Sequence, residues 1–340
     1  MKSTLRMRVL GLALGSVAAL LLSGGCRRER PLELTYSIFF PATHQNTLLA
    51  TAWAEEIGKR SGGRVKITIF PGGTLTPADK CYDGVEKGIS DLGMSCLSYT
   101  RGRFPLSEVL DLPLGCRQGA TATAMVNAFH EKFQPKEFDT VKMMYLHAHG
   151  PGVLHTKKPV SSLAELKGLK IRCTGLAAKI VTALGGTPVA MPMGETYDAL
   201  SRGVVDGSMA PQESLEGWRW GEVVSSTTLS YGSAYTTTFF VAMNKDRWDS
   251  LPADIQAVFN EVNAEWQARS GTAWDAMDES GRAFTAGRGN QTVALSDAEN
   301  AAWAAAVQPI LDEYVQKMGE RGLPGAEALA FCQDFIKANQ

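Results

Sequence analysis

An α/β fold of two lobes joined by one long helix is what the sequence predicts, on three observations. Residues from about 32 onward repeat the order strand, helix, strand. A second series of the same rhythm begins near position 153. From Pro252 to about Phe284, apolar residues recur at three- and four-residue spacing with only Gly271 and Gly281 interrupting. Strands separated by helices specify parallel pairing through crossovers. A helix of about thirty residues would reach about 45 Å, more than one such lobe needs, so it would bridge both.

In chain order, "LELTYSIFF" alternates and is rich in β-formers, and "NTLLATAWAEEIGKRSGG" carries helical spacing closed by glycines. "RVKITIFPGG" alternates strictly until Pro-Gly-Gly stops it. The helix "PADKCYDGVEKGIS", the strand "DLGMSCLSY", the helix around "TATAMVNAFHEKF" and the strand "VKMMYLHAHG" complete the first series. The second runs "VLHTKKPV", the turn "AELKG", "LKIRCTG", the helix "LAAKIVTALGG", "TPVAMP", the helix "ETYDALSRGVV" and "DGSMAPQ". "YTTTFFVAMN" reads as a strand returning to the first lobe. The tail "SDAENAAWAAAVQPILDEYVQKM" is helical, with Ser296 or Asp297 as N-cap.

The 340 residues are 44% hydrophobic and 20% charged with a formal charge of −1, an ordinary globular balance with no basic excess for nucleic acid. Residues 1–26 differ: Lys2, Arg6 and Arg8 precede an uncharged run from Val9 to Leu22 and then small residues, the layout of a secretory signal peptide. The run is shorter than the roughly 20 residues a membrane span needs. "LSGGC" resembles a bacterial lipoprotein cleavage site ending at Cys26, with the leucine one place too far from the cysteine. Lipid anchoring through Cys26 and simple cleavage with release both stay open. Cys81, Cys96, Cys116, Cys173 and Cys332 show no C-x-x-C spacing and read as buried thiols with at most one bridge.

Catalytic signatures are missing: no G-x-S-x-G elbow, no phosphate loop, no dinucleotide fingerprint and no H-E-x-x-H helix. The sequence calls for no catalytic residue, no metal and no cofactor. His147 and His149 fall on one side of a strand, but two imidazoles without a third ligand are a weak metal signal. Arg172 is the informative residue. It occupies a short strand where an aliphatic is the usual choice, just before the "CTG" turn, and strand ends are where ligands gather in α/β sheets. Its planar fork suits a carboxylate; the competing explanation is an ion pair with a neighbour such as Glu165.

"WAEEIGKRSGGRVKITIFPGGTL", "GVEKGISDLGMS", "SSLAELKGLKIRCTG" and "ALGGTPVAMPMGETYDALSRGVVDG", in this order and spacing, resemble the DctP-type extracytoplasmic solute-binding proteins of tripartite ATP-independent periplasmic (TRAP) transporters. The resemblance runs from about Leu34 to the end of the tail. It implies a two-lobed periplasmic-binding-protein fold with a hinge-spanning helix, a periplasmic location, and delivery of a ligand to membrane permease subunits. It also implies that the arginine of "KGLKIR", Arg172, binds the ligand carboxylate. The expected division is 31–152 with about 240–280 in one lobe and 153–239 with about 281–340 in the other; a monomer is the default.

Sugar-acid binders of that family have a second arginine where this chain has Gly152, an asparagine near Ala210, a polar contact at Phe39 and an acidic one near Cys96. The resemblance thus implies a pocket holding a carboxylate at one end and an apolar or aromatic body at the other, as in a 2-oxo acid or amino acid. Phe39, Phe40, Cys96, His149, Gly150, Ala210, Tyr235 and Phe239 join Arg172 as candidate binding residues, with packing as the competing role for the aromatics and histidine. Trp218 stays open between pocket, surface and packing. The other functions weighed are a ligand-presenting protein for a membrane sensor or chemoreceptor, and an extracytoplasmic enzyme using His147, His149 or a cysteine.

Overall fold

Residues 30–340 are described by a computed structural model; the expected signal segment and Cys26 lie outside the described residues. The first series gives β1 (Leu32–Ile38), α1 (Gln45–Arg60), β2 (Val65–Phe70), α2 (Cys81–Glu86), β3 (Leu92–Cys96), α3 (Gly119–Phe133) and β4 (Val141–Ala148). The second gives β5 (Val153–Thr156), α4 (Leu163–Leu166), β6 (Lys170–Cys173), α5 (Ala177–Ala183), β7 (Thr187–Ala190), α6 (Met193–Ser201), β8 (Gly207–Ala210), α7 (Ser214–Gly217) and β9 (Ser226–Leu229). The remainder forms β10 (Thr238–Asn244), α8 (Lys245–Asp249), α9 (Ala253–Ala286), β11 (Gln291–Ala294), α10 (Asp297–Glu320) and α11 (Gly325–Asn339). Ser296 caps α10, accepting from the Glu299 N–H.

One sheet has the order β2-β1-β3-β10-β4 and the other β11-β9-β5-β8-β6-β7. Both are mixed, which corrects the expectation of parallel sheets. β10 runs antiparallel to β3 and β4, and β5 runs antiparallel to β8 and β9. The cause is the traffic between lobes: β4 hands the chain directly to β5, and β9 returns it to β10, each without a crossover helix. The two connections touch, the Gly152 N–H donating to the Tyr235 carbonyl at 2.7 Å.

α9 is the third connection, 34 residues long. Its N-terminal half buries Ile255, Phe259, Val262 and Trp266 in the core that covers the first sheet. The two glycines do not break it. They are points of close approach: a Cβ on Gly271 would lie 2.8 Å from the Ala120 Cα, and one on Gly281 would lie 2.1 Å from the Gln212 carbonyl oxygen. Glycine weakens a helix interior by about 1 kcal/mol, and here the loss is offset by backbone contact with α3 on one side and with the segment after β8 on the other. Gly271→Val is expected to destabilise the protein by about 1–3 kcal/mol through overpacking, read as a lower urea midpoint. An unchanged midpoint would contradict the contact.

α11 packs on α3, with Thr121 Oγ1 donating to the Asn339 carbonyl at 3.1 Å, Lys132 paired to Glu327 at 3.1 Å and Phe133 edge-on to Phe331. The apolar stripe of α11 covers the outer face of an element from the first series. The five cysteines of the described residues are buried free thiols.

Candidate functional site

β6 is four residues long, and strand alternation decides its faces. Ile171 and Cys173 enter the hydrophobic core, so Arg172 is directed the other way, into the space between the two sheets. A pocket lies there, and Arg172 forms part of its wall. The side chain is 1% exposed, and its Nε and Nη2 both donate to the Met191 carbonyl, at 3.1 and 2.8 Å. Among the described residues it pairs with no carboxylate. Glu165, the alternative partner, is exposed and accepts from the Ser161 N–H and hydroxyl instead. A guanidinium held out of water with only a neutral acceptor is costly unless an anion joins it.

The facing walls are aromatic. Phe39 and Phe40 follow β1 directly and stack at 4.1 Å; Phe39 is also near-parallel to Trp218 at 6.2 Å and to Phe239 at 6.3 Å. Phe239 stacks on Trp274 of α9 at 5.2 Å. Tyr99 meets Phe39 edge-on and accepts from the Met193 N–H. Burial pushes its phenol well up, against the pull of Arg172. Flat apolar faces surrounding one fixed cation fit an acid with a planar or branched body.

The structure brings Phe39, Phe40, Cys96, His149, Arg172, Ala210, Tyr235 and Phe239 to this one pocket. Gly150 is the exception and a correction. It lies behind the wall, and a Cβ there would be 2.4 Å from Asp278 Oδ2, so its missing side chain makes room for a buried acid of α9. Gly152 is likewise occupied from the other side, its would-be Cβ 2.3 Å from the Tyr235 ring, and the Tyr235 hydroxyl donates to the Met209 carbonyl.

His147 and His149 share a side of β4 but do different things. Trp274 Nε1 donates to His147 Nδ1 at 2.9 Å while the imidazole stacks on Phe239; His149 lines the pocket with its Nδ1 2.6 Å from the Gly150 carbonyl. Burial pushes His147 down to about 3 and His149 to about 4, so both are neutral at physiological pH. Among the described residues no group of three His, Cys, Asp or Glu side chains converges as a metal site. Burial raises the Cys96 thiol to about 12, which leaves it an uncharged lining group.

Thr174, Met193, Met209, Glu213, Thr237 and Trp274 also line the pocket and escaped the sequence reading; Trp218, left open there, joins them. Thr174 could have been found, since it stands two residues beyond Arg172, just past the end of β6. Glu213 could not. It follows β8 and meets His44 at the start of α1, His44 Nε2 and Glu213 Oε1 lying 2.5 Å apart and both buried. His44 Nδ1 accepts from the Asn46 N–H at 3.1 Å, capping α1, which leaves Nε2–H to donate to Glu213. The Glu213 N–H in turn donates to Asp278 Oδ1 at 2.7 Å.

Residues 36–317 match the family described as bacterial extracellular solute-binding protein, family 7 (DctP). This chain belongs to that family. A solved TRAP solute-binding protein of Bordetella bronchiseptica, with (R)- and (S)-mandelate bound, is 30% identical, with 91% of this chain and 100% of that one covered and a TM-score of 0.85. A marine-metagenome TRAP protein described as specific for aromatic acids, in complex with 3-hydroxybenzoate, is 28% identical over 91% of this chain and 99% of its own, with a TM-score of 0.86. The C4-dicarboxylate-binding periplasmic protein of Rhodobacter capsulatus is 24% identical over 95% of this chain and 98% of that protein. The family member described here is therefore a solute-binding protein of the TRAP transporter type, not an enzyme. Its two lobes are those of the TRAP fold, and permease subunits are the partners the family implies.

Proposed function

We propose that this family member captures a monocarboxylate with an aromatic body, anchoring the carboxylate on Arg172 and seating the ring among Phe39, Phe40, Trp218 and Phe239. The observation that carries the reading is the buried Arg172 guanidinium, unpaired with any described carboxylate, on the wall of an aromatic pocket. The Gly152–Tyr235 packing supports a single anionic end, because the tyrosine ring takes the volume that a second basic side chain from position 152 would need. The mandelate- and 3-hydroxybenzoate-bound relatives support the same class.

Closure of the two lobes about residues 149–152, 230–237 and α9 would trap the acid, which drives closure by binding the closed form better. One chain supplies both walls, so a single copy suffices, and the closed complex is what the permease subunits would receive.

The test is a thermal-shift panel on the mature protein with benzoate, mandelate, phenylpyruvate, phenylalanine and succinate. A ligand at one hundred times its dissociation constant adds about 2.7 kcal/mol. The aromatic monocarboxylates are expected to raise the melting temperature and succinate to leave it unchanged. A response to succinate alone would refute the reading.

A further inference from the structure

We propose that Glu213 is a specificity residue of this pocket, receiving a hydrogen bond from a hydroxyl on the ring of the bound aromatic acid; this rests on the reading above, in which Arg172 holds the carboxylate. Glu213 is 2% exposed and is one of the residues lining the cavity. Its Oε1 is engaged by His44, and its Oε2 accepts from the Ser214 hydroxyl at a long 3.4 Å. An ionised carboxylate accepts about four hydrogen bonds, so acceptor capacity is left on a group that water does not reach.

Arg172 does not relieve it. Both residues line one pocket and do not pair; the aromatic groups Phe39, Phe40 and Trp218 stand on the same walls. His44 keeps Glu213 in place, fixed itself as the cap of α1 and packed against Phe40 at 4.4 Å and Trp218 at 5.5 Å. A ligand that satisfies both polar ends has a carboxylate at one and a hydrogen-bond donor at the other. A second carboxylate would meet Glu213 as like charge, so the same residue selects against dicarboxylates. A site built to bond a hydroxyl discriminates against the analogue lacking it, because its own buried acceptor is then left unmade.

Isothermal titration of the mature protein with benzoate, 3- and 4-hydroxybenzoate and the matching methoxybenzoates tests this. One hydroxybenzoate is expected to bind at least about tenfold tighter than benzoate, and its methoxy counterpart, which accepts but cannot donate, to lose that gain. In Glu213→Gln the hydroxyl preference is expected to fall at least about threefold, since a neutral acceptor replaces a charged one. Equal affinity for benzoate and both hydroxybenzoates, or a preference that survives unchanged in folded Glu213→Gln, overturns the proposal while leaving the aromatic-acid reading intact. If none of these acids binds, that reading fails and the role of Glu213 fails with it. Should the variant not fold, the hydroxy-against-methoxy comparison on the unaltered protein decides alone.

Discussion

Arg172→Met is expected to abolish capture of aromatic monocarboxylates while leaving the empty protein folded and close to its original stability. Removing one partner of a buried charge pair costs about 2–5 kcal/mol, which is roughly a 30- to 5,000-fold rise in dissociation constant. The two effects separate because of what Arg172 touches. Its guanidinium donates to the Met191 carbonyl and lies over the Trp220 face, the guanidinium carbon 5.7 Å from that ring centroid. Methionine gives up two hydrogen bonds to one carbonyl but also removes a buried, unneutralised charge, and these oppose one another. Arg172→Lys should fall between: it keeps the charge and loses the planar fork. Titration calorimetry beside urea denaturation checks both halves. Affinity within about threefold of the original in Arg172→Met would remove Arg172 from the site. A large loss of stability in the empty variant would make it a structural residue.

That Arg172 could be singled out from sequence has a physical reason. A cation in the middle of a short strand violates the local burial rule, and the violation is visible without any knowledge of long-range contacts. Phe39, Cys96 and Ala210 were legible only through the family resemblance, as positions where sugar-acid binders carry polar contacts, and Phe40 as the neighbour of Phe39; all four lie at or just after strand ends. What local pattern cannot carry is pairing across the chain. His44 and Glu213 are 169 residues apart, and neither belongs to a motif that announces the other. The same limit hid the mixed character of the sheets, because β10 inserts beside β3 only after the whole second series has been threaded. It also explains the misplacement of Gly150. Its neighbour Asp278 comes from α9, and from the strand alone a glycine at the end of β4 looks like a pocket edge.

Asp278 is the source of a large expected pH effect that one substitution isolates. It is buried on α9, accepts from the Glu213 N–H and faces Gly150; burial raises its carboxyl to about 7 against the opposing pull of the Glu213 N–H bond and Arg282, with the Glu213 and Asp275 carboxyls pushing the same way as burial. The folded protein therefore holds this proton over a window, from about 3.8 to about 7, in which the unfolded chain has released it. With more protons bound in the folded state, stability falls as pH rises through that window, by at most about 1.4 kcal/mol per pH unit. Asp278→Asn keeps an oxygen acceptor for the Glu213 N–H and removes the ionisation. At pH 4 the two proteins should be nearly alike, and by pH 8 the variant should be the more stable by roughly 2–4 kcal/mol. His147, His149 and His155, pushed down to about 3, 4 and 4 by burial, act in the opposite sense, adding stability as pH rises toward the ordinary histidine range. Asp111, raised to about 7 by burial, adds to the Asp278 trend. These contributions are common to both proteins and cancel in the difference, so urea denaturation of the pair at pH 4.5, 6 and 8 isolates the one carboxyl. A stability difference that does not change with pH would show that Asp278 is ionised throughout. In that case the acid wedged between the lobes is held by charge pairing and not by exclusion of water.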